Sequence, residues 1–183
     1  VSNMTFTYIY PQGKRRALTF SYDDGTVHDR RLVAIFNQYG MKGTFHLNSG
    51  NLGTEGFLTE QEIPALFQGH EIACHSSHHP NLLMLEDENI LSELTEDRHQ
   101  LERLAGYPVT GMSYPYGDYD WRVLAVLVKA GISYSRTTKA HRAFKPPHYF
   151  LEWHPTCHHT DSILHRLEVF LHSERQLPLD RKS

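Results

Sequence analysis

Strand-like and helix-like segments alternate along most of the chain, and turn residues separate one segment from the next. Runs that predict strands lie at 17–22, 43–48, 71–74, 109–114, 132–136 and 149–153, after an edge-like stretch at 5–10. Segments with apolar residues at helical spacing lie between or after them, at 32–39, 63–67, 87–105, 121–130 and 162–172. Strands that alternate with helices of ten or more residues predict parallel βαβ units, arranged as a barrel or as an open sheet.

The length and charge of the chain limit its domain count and its partners. A chain of 183 residues fits one domain, so we expect 1–183 to fold together, with 171–183 as a helix end and polar tail. The net charge of −3 and the pI near 6.5 argue against nucleic acid or an anionic membrane as the main partner. The longest aliphatic run, 123–128, is far shorter than the ~20 residues of a membrane span. Two cysteines exclude a disulfide framework.

The first ten residues alternate polar and apolar side chains and lack the long apolar segment of a secretory signal. This predicts a cytoplasmic protein, or an extracellular or cell-envelope protein if a leader has been removed. The oligomeric state is left open. A barrel of only about six strands would be short, which fits either a truncated form or closure by dimerisation.

Polar residues that can do chemistry follow several of the predicted strands. They are Asp23 and Asp24, the segment from His75 to His79, the segment from Tyr114 to Tyr116, and Arg136, with His46 and Asn48 at the end of the second strand. In parallel α/β folds the carboxyl ends of the strands and the loops after them form the ligand site. The sequence therefore predicts that these side chains converge.

Two histidine pairs have a spacing of four residues, His75 with His79 and His154 with His158. Chance placement of the 14 histidines predicts about one such pair, so the spacing alone is weak evidence. The first pair directly follows a predicted strand, which favours it as a ligand pair over a pair of exposed loop histidines.

Two imidazoles and one carboxylate leave an open coordination position, as in catalytic rather than structural zinc sites. Adjacent carboxylates at the end of an apolar strand are costly unless a cation offsets them, although Asp-Asp-Gly also fits a solvated turn. One aspartate can bind the metal while its neighbour accepts a proton from metal-bound water. The pattern predicts metal-assisted hydrolysis of an amide or ester.

Three segments resemble, in the same order, the motifs of the polysaccharide deacetylases, the NodB-like carbohydrate esterases of family four. They are Ser21-Tyr22-Asp23-Asp24-Gly25, then His75-Ser76-Ser77-His78-His79-Pro80 preceded by Gly69-His70-Glu71-Ile72, then Tyr114-Pro115-Tyr116-Gly117. The resemblance covers about 18–138. It implies an α/β fold, a distorted (β/α) barrel of parallel strands that is complete or incomplete, and metal-dependent removal of acetyl groups from sugars.

Matched position by position, the resemblance implies that Asp23 is the general base that activates the metal-bound water. Asp24, His75 and His79 would hold the metal, usually Zn²⁺, with Co²⁺ or Ni²⁺ as alternatives. The backbone N–H of Tyr116 would stabilise the oxyanion. His78 lies between matched positions and receives no role.

The chain departs from the family pattern at two places. Ser113 stands where the family often has an arginine that orients the base, whereas Arg136 stands near the usual place of a later acid. We hypothesise that Arg136 reaches the site and holds Asp23 ionised; the alternative is a surface arginine at a strand end.

The histidine of the last family motif, which protonates the leaving group, has no clear match. The segment Phe170-Leu171-His172 is a weak match to this motif, but its helical context favours His172 as a surface residue. His154, His158 and His159 follow the sixth predicted strand and are alternatives, and the last motif can also be missing.

The expected function is that of a hydrolase that removes acetyl groups from N- or O-acetylated oligo- or polysaccharide. One alternative is hydrolysis of a cyclic amide or ureide on the same fold, although relatives of that kind tend to lack the full metal triad. Another is a degenerate domain that binds metal or glycan, which the unmatched last motif favours.

Overall fold

The structure is a computed structural model and describes residues 10–14, 16–144 and 146–172. The described residues form two compact units, one within 19–156 and a smaller one within 10–18 and 157–172. The larger unit contains β1 Phe20–Asp24, α1 Asp29–Gln38, β2 Gly43–Leu47, α2 Ile63–Leu66, β3 Glu71–Cys74, α3 Asp87–Ala105, β4 Gly111–Ser113, α4 Trp121–Lys129 and β5 Tyr134–Arg136. The smaller unit contains α5 Ile163–His172, where the guanidinium of Arg16 lies 5.8 Å from the ring centre of Phe170.

The larger unit is built on a sheet of five parallel strands in the order β1-β2-β3-β4-β5. Each strand pairs with the next one along the chain, and helices α1 to α4 lie in the connections. This arrangement confirms the predicted parallel α/β fold, as a curled half-barrel of five strands rather than a closed barrel.

The helix-facing side of the sheet is apolar. Phe45 in β2 is fully buried, and its ring lies 6.1 Å from that of Phe36 in α1 and 4.6 Å from that of Phe67. Helix α3 buries Ile90 and Leu101 on one face, and it ends at Gly106, whose φ of 76° suits a residue without a side chain. Among the described residues, no helix combines the length and apolarity that crossing a membrane requires.

The opposite side of the sheet is polar. Paired residues of parallel strands share a face and successive residues alternate, so the strand register places ten residues on this inner face. All but two are polar: Ser21, Asp23, Thr44, His46, Glu71, Ala73, Gly111, Ser113, Tyr134 and Arg136. Hydrogen bonds link them across the sheet, as where Glu71 accepts from the Thr44 hydroxyl at 2.6 Å and from the Tyr134 hydroxyl at 2.8 Å.

Gly111 shows how closely this inner face is packed. A side chain there would place its Cβ 2.2 Å from the Tyr134 ring, so only glycine leaves room for the tyrosine. The ring can then extend across the face to Glu71.

The predicted sixth strand at 149–153 is wrong. The segment forms a single turn, Phe150–Glu152, and pairs with the sheet only through one isolated bridge between Trp153 and Arg136. The cause is local: the turn is stabilised by a bond from the Glu152 N–H to the Tyr149 carbonyl, which an extended strand could not make.

The first predicted strand is shifted. The sequence predicts it at 17–22 with both aspartates beyond it, but β1 runs from Phe20 to Asp24, because its backbone pairing with β2 continues through Asp23 and Asp24. The Thr59–Glu62 capping pattern is present, with Glu62 accepting from the Thr59 N–H at 2.9 Å, but the helix that follows is only Ile63–Leu66. The edge-like stretch 5–10 lies outside the described residues except for Tyr10, which bridges to Lys14.

One buried carboxylate ties the longest helix to the carboxyl edge of the sheet. Asp97 in α3 is fully buried, and its two oxygens accept from the Ser49 N–H at 2.8 Å and the His75 N–H at 2.9 Å. Burial raises the pKa of this carboxyl to about 7, against the lowering effect of its hydrogen bonds. Asp97 therefore fixes both the loop that begins at Ser49, after β2, and the loop that begins at His75, after β3.

We expect Asp97→Ala to lower the free energy of unfolding by about 3 kcal/mol, because two buried N–H groups lose their acceptor. Urea denaturation measures the change. The control is Glu96→Ala, at an exposed position of the same helix, which should change stability by no more than about 0.5 kcal/mol. Equal stability of the two variants would contradict the role given to Asp97.

Candidate metal centre and active site

Asp24, His75 and His79 meet at the carboxyl edge of the sheet. Their candidate ligand atoms lie within 4.8 Å of one another, and this is the one such group of three found in the described part of the chain. The Nε2 atoms of His75 and His79 lie 3.5 Å and 3.9 Å from Oδ1 of Asp24. Ligands at zinc–nitrogen and zinc–oxygen distances of ~2.0–2.1 Å in a tetrahedron lie about 3.3 Å apart, so the three residues fit a zinc-sized cation.

The hydrogen bonds of His75 leave the correct nitrogen available for a metal. Its Nδ1 lies 2.8 Å from the carbonyl oxygen of Ser113, and since a carbonyl can only accept, Nδ1 carries the hydrogen. The lone pair of the neutral ring is then on Nε2, which faces Asp24. Outer partners of this kind fix the tautomer and orientation of metal-binding histidines.

Strained backbone is concentrated at this site. Six described non-glycine residues have positive φ, and four of them are Asp24 (80°), Ser76 (60°), His79 (59°) and Tyr116 (61°). Left-handed backbone at such residues persists only where the surroundings enforce it, and it is common at functional sites. Here Asn48 helps to enforce it, because its side-chain amide donates to the carbonyls of His75 and Ser76 at 2.7 and 2.9 Å.

Asp23 lies beside the candidate metal ligands and is paired with Arg136. The Nη2 group of Arg136 donates to both carboxylate oxygens of Asp23, and the Ser113 hydroxyl donates to Oδ1 at 3.0 Å. The Arg136 side chain is 15% exposed and the Asp23 side chain is 28% exposed, so solvent screens the ion pair only in part.

The surroundings of Asp23 keep its carboxyl group ionised. Burial by itself raises the pKa, but the charges of His46, Arg136 and His75 and the hydrogen bond from Arg136 outweigh it and hold the pKa well below its usual range. A histidine contributes to this lowering only while it is protonated, and His46, whose own pKa is lowered to about 3 by burial, is neutral at pH 7. Arg136 is thus the partner that is positively charged at every relevant pH.

Tyr116 lies in the turn after β4, next to the metal ligands. The residue is 62% exposed, and its ring lies 4.7 Å from the ring of His79 in an edge-on arrangement. The following Gly117 has a φ of 81°, and a Cβ there would come within 2.1 Å of the Thr138 hydroxyl oxygen. The turn therefore brings the backbone of residue 116 to the edge of the site.

A third carboxyl group belongs to the same edge of the sheet. Asp29, the first residue of α1, is buried, and its Oδ2 has no hydrogen-bond partner. Burial raises the pKa of Asp29 to about 7, and the nearby charges of Asp24 and Asp23 add to the rise.

The other histidines considered from the sequence lie elsewhere. His78 points to Glu93, with 2.8 Å between its Nδ1 and Oε1, and takes no part in the group of three ligands. His154 lies by the end of β5, where its Nδ1 is 2.7 Å from the Thr137 hydroxyl oxygen, and its ring lies 3.8 Å from that of His141. His158, His159 and His172 belong to the smaller unit, the last at the end of α5.

Asp97 is the supporting residue that sequence reasoning missed. The signal was available, because Asp97 falls on the apolar face of α3, between Leu94 and Leu101. A carboxylate at such a position must have a buried partner. The partners themselves, Ser49 and His75, are distant in sequence and could not be identified from spacing.

The chain is similar in sequence to several curated proteins. It is 31% identical over 119 residues to a chitin deacetylase of Pestalotiopsis sp, covering 64% of this chain and 39% of that protein. It is 28% identical over 119 residues to a peptidoglycan-N-acetylglucosamine deacetylase of Bacillus cereus, covering 64% of this chain and 42% of the relative. The chain spans between 24% and 45% of the length of the five curated relatives it matches.

Solved structures share the fold. A polysaccharide deacetylase from Bacillus cereus superposes with a TM-score of 0.70 at 21% identity, covering 81% of this chain and 49% of that one. A de-N-acetylase from Aggregatibacter actinomycetemcomitans superposes with a TM-score of 0.69 at 14% identity, covering 85% and 76%. The family model for polysaccharide deacetylase matches residues 10–135, so this chain belongs to the polysaccharide deacetylase family.

Proposed function

We propose that this chain hydrolyses acetyl groups from N- or O-acetylated carbohydrate and depends on a divalent metal for the reaction. The observation that carries the proposal is the position of an ionised carboxylate, Asp23, beside an open group of three metal ligands. Relatives described as chitin and peptidoglycan-N-acetylglucosamine deacetylases support acetylated oligo- or polysaccharide as the substrate class.

Asp24, His75 and His79 are the residues that would hold the metal, with zinc as the first candidate and cobalt or nickel as alternatives. When bound, such a cation lowers the pKa of a coordinated water to ~7 and polarises a carbonyl oxygen. With three protein ligands, the site keeps a position open to water and substrate, as catalytic zinc sites do.

Asp23 would act as the general base, since its carboxylate is ionised and lies next to the metal ligands. Arg136 and Ser113 hold its oxygens by hydrogen bonds, which fixes the direction from which a proton is accepted. The backbone N–H of Tyr116 would donate to the oxyanion that forms when the acetyl carbonyl is attacked. Asp23 would accept the proton that the attacking water loses.

The experiment that tests the proposal is acetate release from a panel of acetylated oligosaccharides. The purified protein is assayed with added Zn²⁺, with Co²⁺ or Ni²⁺, and with a chelator. We expect release with metal and none with chelator, since removal of the ion removes its contribution to both water and carbonyl. Acetate release that is unaffected by chelator would refute the metal dependence. If no member of the panel releases acetate while one zinc is bound per chain, the deacetylase proposal is refuted.

We expect Asp24→Ala to abolish both zinc binding and acetate release, because only two histidine ligands remain. Zinc content per chain after dialysis measures the first effect. Glu88→Ala, at the exposed start of α3, is the matched control and should keep one zinc per chain. Retention of tightly bound zinc by Asp24→Ala would show that the ligand set is different.

We expect Asp23→Asn to lower kcat by about 10²–10⁴-fold while one zinc per chain is retained, because an amide cannot accept the proton. Steady-state kinetics together with metal analysis separate this variant from a ligand variant. Turnover at the wild-type rate would exclude Asp23 as the base.

A further inference from the structure

Two polar side chains continue the hydrogen bonding from Arg136 beyond its contact with Asp23. The Nε–H of Arg136 donates to the Ser21 hydroxyl at 2.8 Å, and Oγ of Ser21 lies 3.0 Å from Nε2 of His46. On the far side of the ring, Nδ1 of His46 lies 3.3 Å from the carbonyl oxygen of Cys74. The four residues belong to strands β5, β1, β2 and β3.

The donors and acceptors of this chain have only one consistent order. A carbonyl oxygen can only accept, so Nδ1 of His46 carries the hydrogen and donates it to Cys74. Burial lowers the pKa of His46, so the ring is neutral at pH 7 and its Nε2 can only accept. Ser21 must therefore donate its hydroxyl hydrogen to His46, which leaves the lone pairs of its oxygen for Arg136.

Arg136 is held at three separate places by this arrangement. Its Nε donates to Ser21, its Nη1 donates to the Thr137 carbonyl at 3.0 Å, and its Nη2 donates to Asp23. The planar guanidinium has fixed donor directions, so holding Nε and Nη1 determines where Nη2 points. Ser21 is thus placed to orient the contact with Asp23 without touching Asp23 itself.

His46 is 1% exposed and lies on the inner face of the sheet, where its strand register pairs it with Asp23 and Ala73. Both ring nitrogens are hydrogen-bonded, as buried polar groups normally are, so the ring is held in one orientation. The ring has the single tautomer that makes Ser21 a donor towards it. Its environment therefore fixes the orientation of the serine hydroxyl.

We infer that Ser21 and His46 are positioning residues that act through Arg136 to orient the general base Asp23. The inference deepens the proposed function and rests on it, because it assigns the two residues to the same reaction. Neither residue contacts the substrate or a metal ligand in this assignment. Their effect on the reaction is assigned to the guanidinium, through which they reach Asp23.

A double-mutant cycle tests this directly, with kcat and zinc content measured for each protein. We expect Ser21→Ala and His46→Phe each to lower kcat by about 10-fold with one zinc per chain retained, and Ser21→Thr, which keeps the hydroxyl, to restore most of the rate. In an Arg136→Ala background, we expect the same two substitutions to lower kcat by less than about 2-fold, since the group they orient is gone. Ser92→Ala and His99→Phe, on the exposed side of α3, are the matched controls and should leave kcat unchanged.

Losses of equal size in both backgrounds would overturn the inference, because they would show that Ser21 and His46 act independently of Arg136. Failure of Ser21→Thr to recover the rate would also count against it. If His46→Phe does not fold, His46→Ala, which also lacks an acceptor, replaces it in the cycle, and His46→Gln, which keeps an acceptor at the position of Nε2, is measured as the rescue variant. A folded His46→Gln with wild-type kcat would support the bond to Ser21 as the relevant contact.

A second measurement is independent of activity. A long-range ¹H–¹⁵N spectrum reports which ring nitrogen of His46 carries hydrogen, and we expect the neutral Nδ1–H form in the wild-type protein. In the same sample the Nε–H signal of Arg136 should exchange slowly with solvent, and it should be lost to fast exchange in Ser21→Ala. A charged ring or the Nε2–H form would overturn the inference, whereas absence of acetate release with the expected spectra would refute the proposed function and leave the hydrogen-bond order standing.

Discussion

The ion pair between Arg136 and Asp23 is the interaction on which the candidate site depends. A largely buried carboxylate is costly to ionise unless a cation stands close to it, and removal of one partner of a buried pair leaves the other uncompensated. Here the cation comes from β5 and the carboxylate from β1, the two edge strands of the sheet. Side chains of the first and last strands can touch only because the sheet is curled, so the pair also reports the curvature that brings the strand ends together.

The inner face of the sheet is polar because the partly buried charges of Asp23 and Arg136 need polar surroundings. The interior of a closed (β/α) barrel is filled by layers of bulky apolar side chains. In this half-barrel, the residues facing inwards are bonded to one another instead, from Thr44, Glu71 and Tyr134 near the start of the strands to Ser113 and Arg136 at their ends. The apolar core lies on the other side of the sheet, under the helices, where Phe45 is packed. Stability and chemistry are thus assigned to opposite faces of the same five strands.

The sequence predicted the parts of the structure that short-range pattern determines. The alternation of segments predicted the parallel fold, and the polar residues after successive strands predicted that the two aspartates and the segment from His75 to His79 would converge. The choice of Asp24, His75 and His79 as the ligand set came from the family resemblance. The strand boundaries were not predicted correctly. The segment 149–153 was predicted as a strand but forms a turn, because the Glu152 N–H bonds to the Tyr149 carbonyl. The support from Asp97 and the order Arg136–Ser21–His46 depend on contacts between residues 22 to 115 positions apart, which no spacing rule can specify.

The exchange between Ser113 and Arg136 bears on how proteins of this kind are recognised. A search pattern that demands arginine before Pro115-Tyr116-Gly117 rejects this chain, although a guanidinium is bonded to Asp23 and comes from the neighbouring strand. A three-dimensional search for a guanidinium within hydrogen-bonding distance of the first aspartate of the Asp-Asp pair would find this chain. The two strands are adjacent and parallel, and Ser113 and Arg136 are register partners that both donate hydrogen bonds to Asp23. A pattern tied to one strand therefore misses a contact that its neighbour supplies.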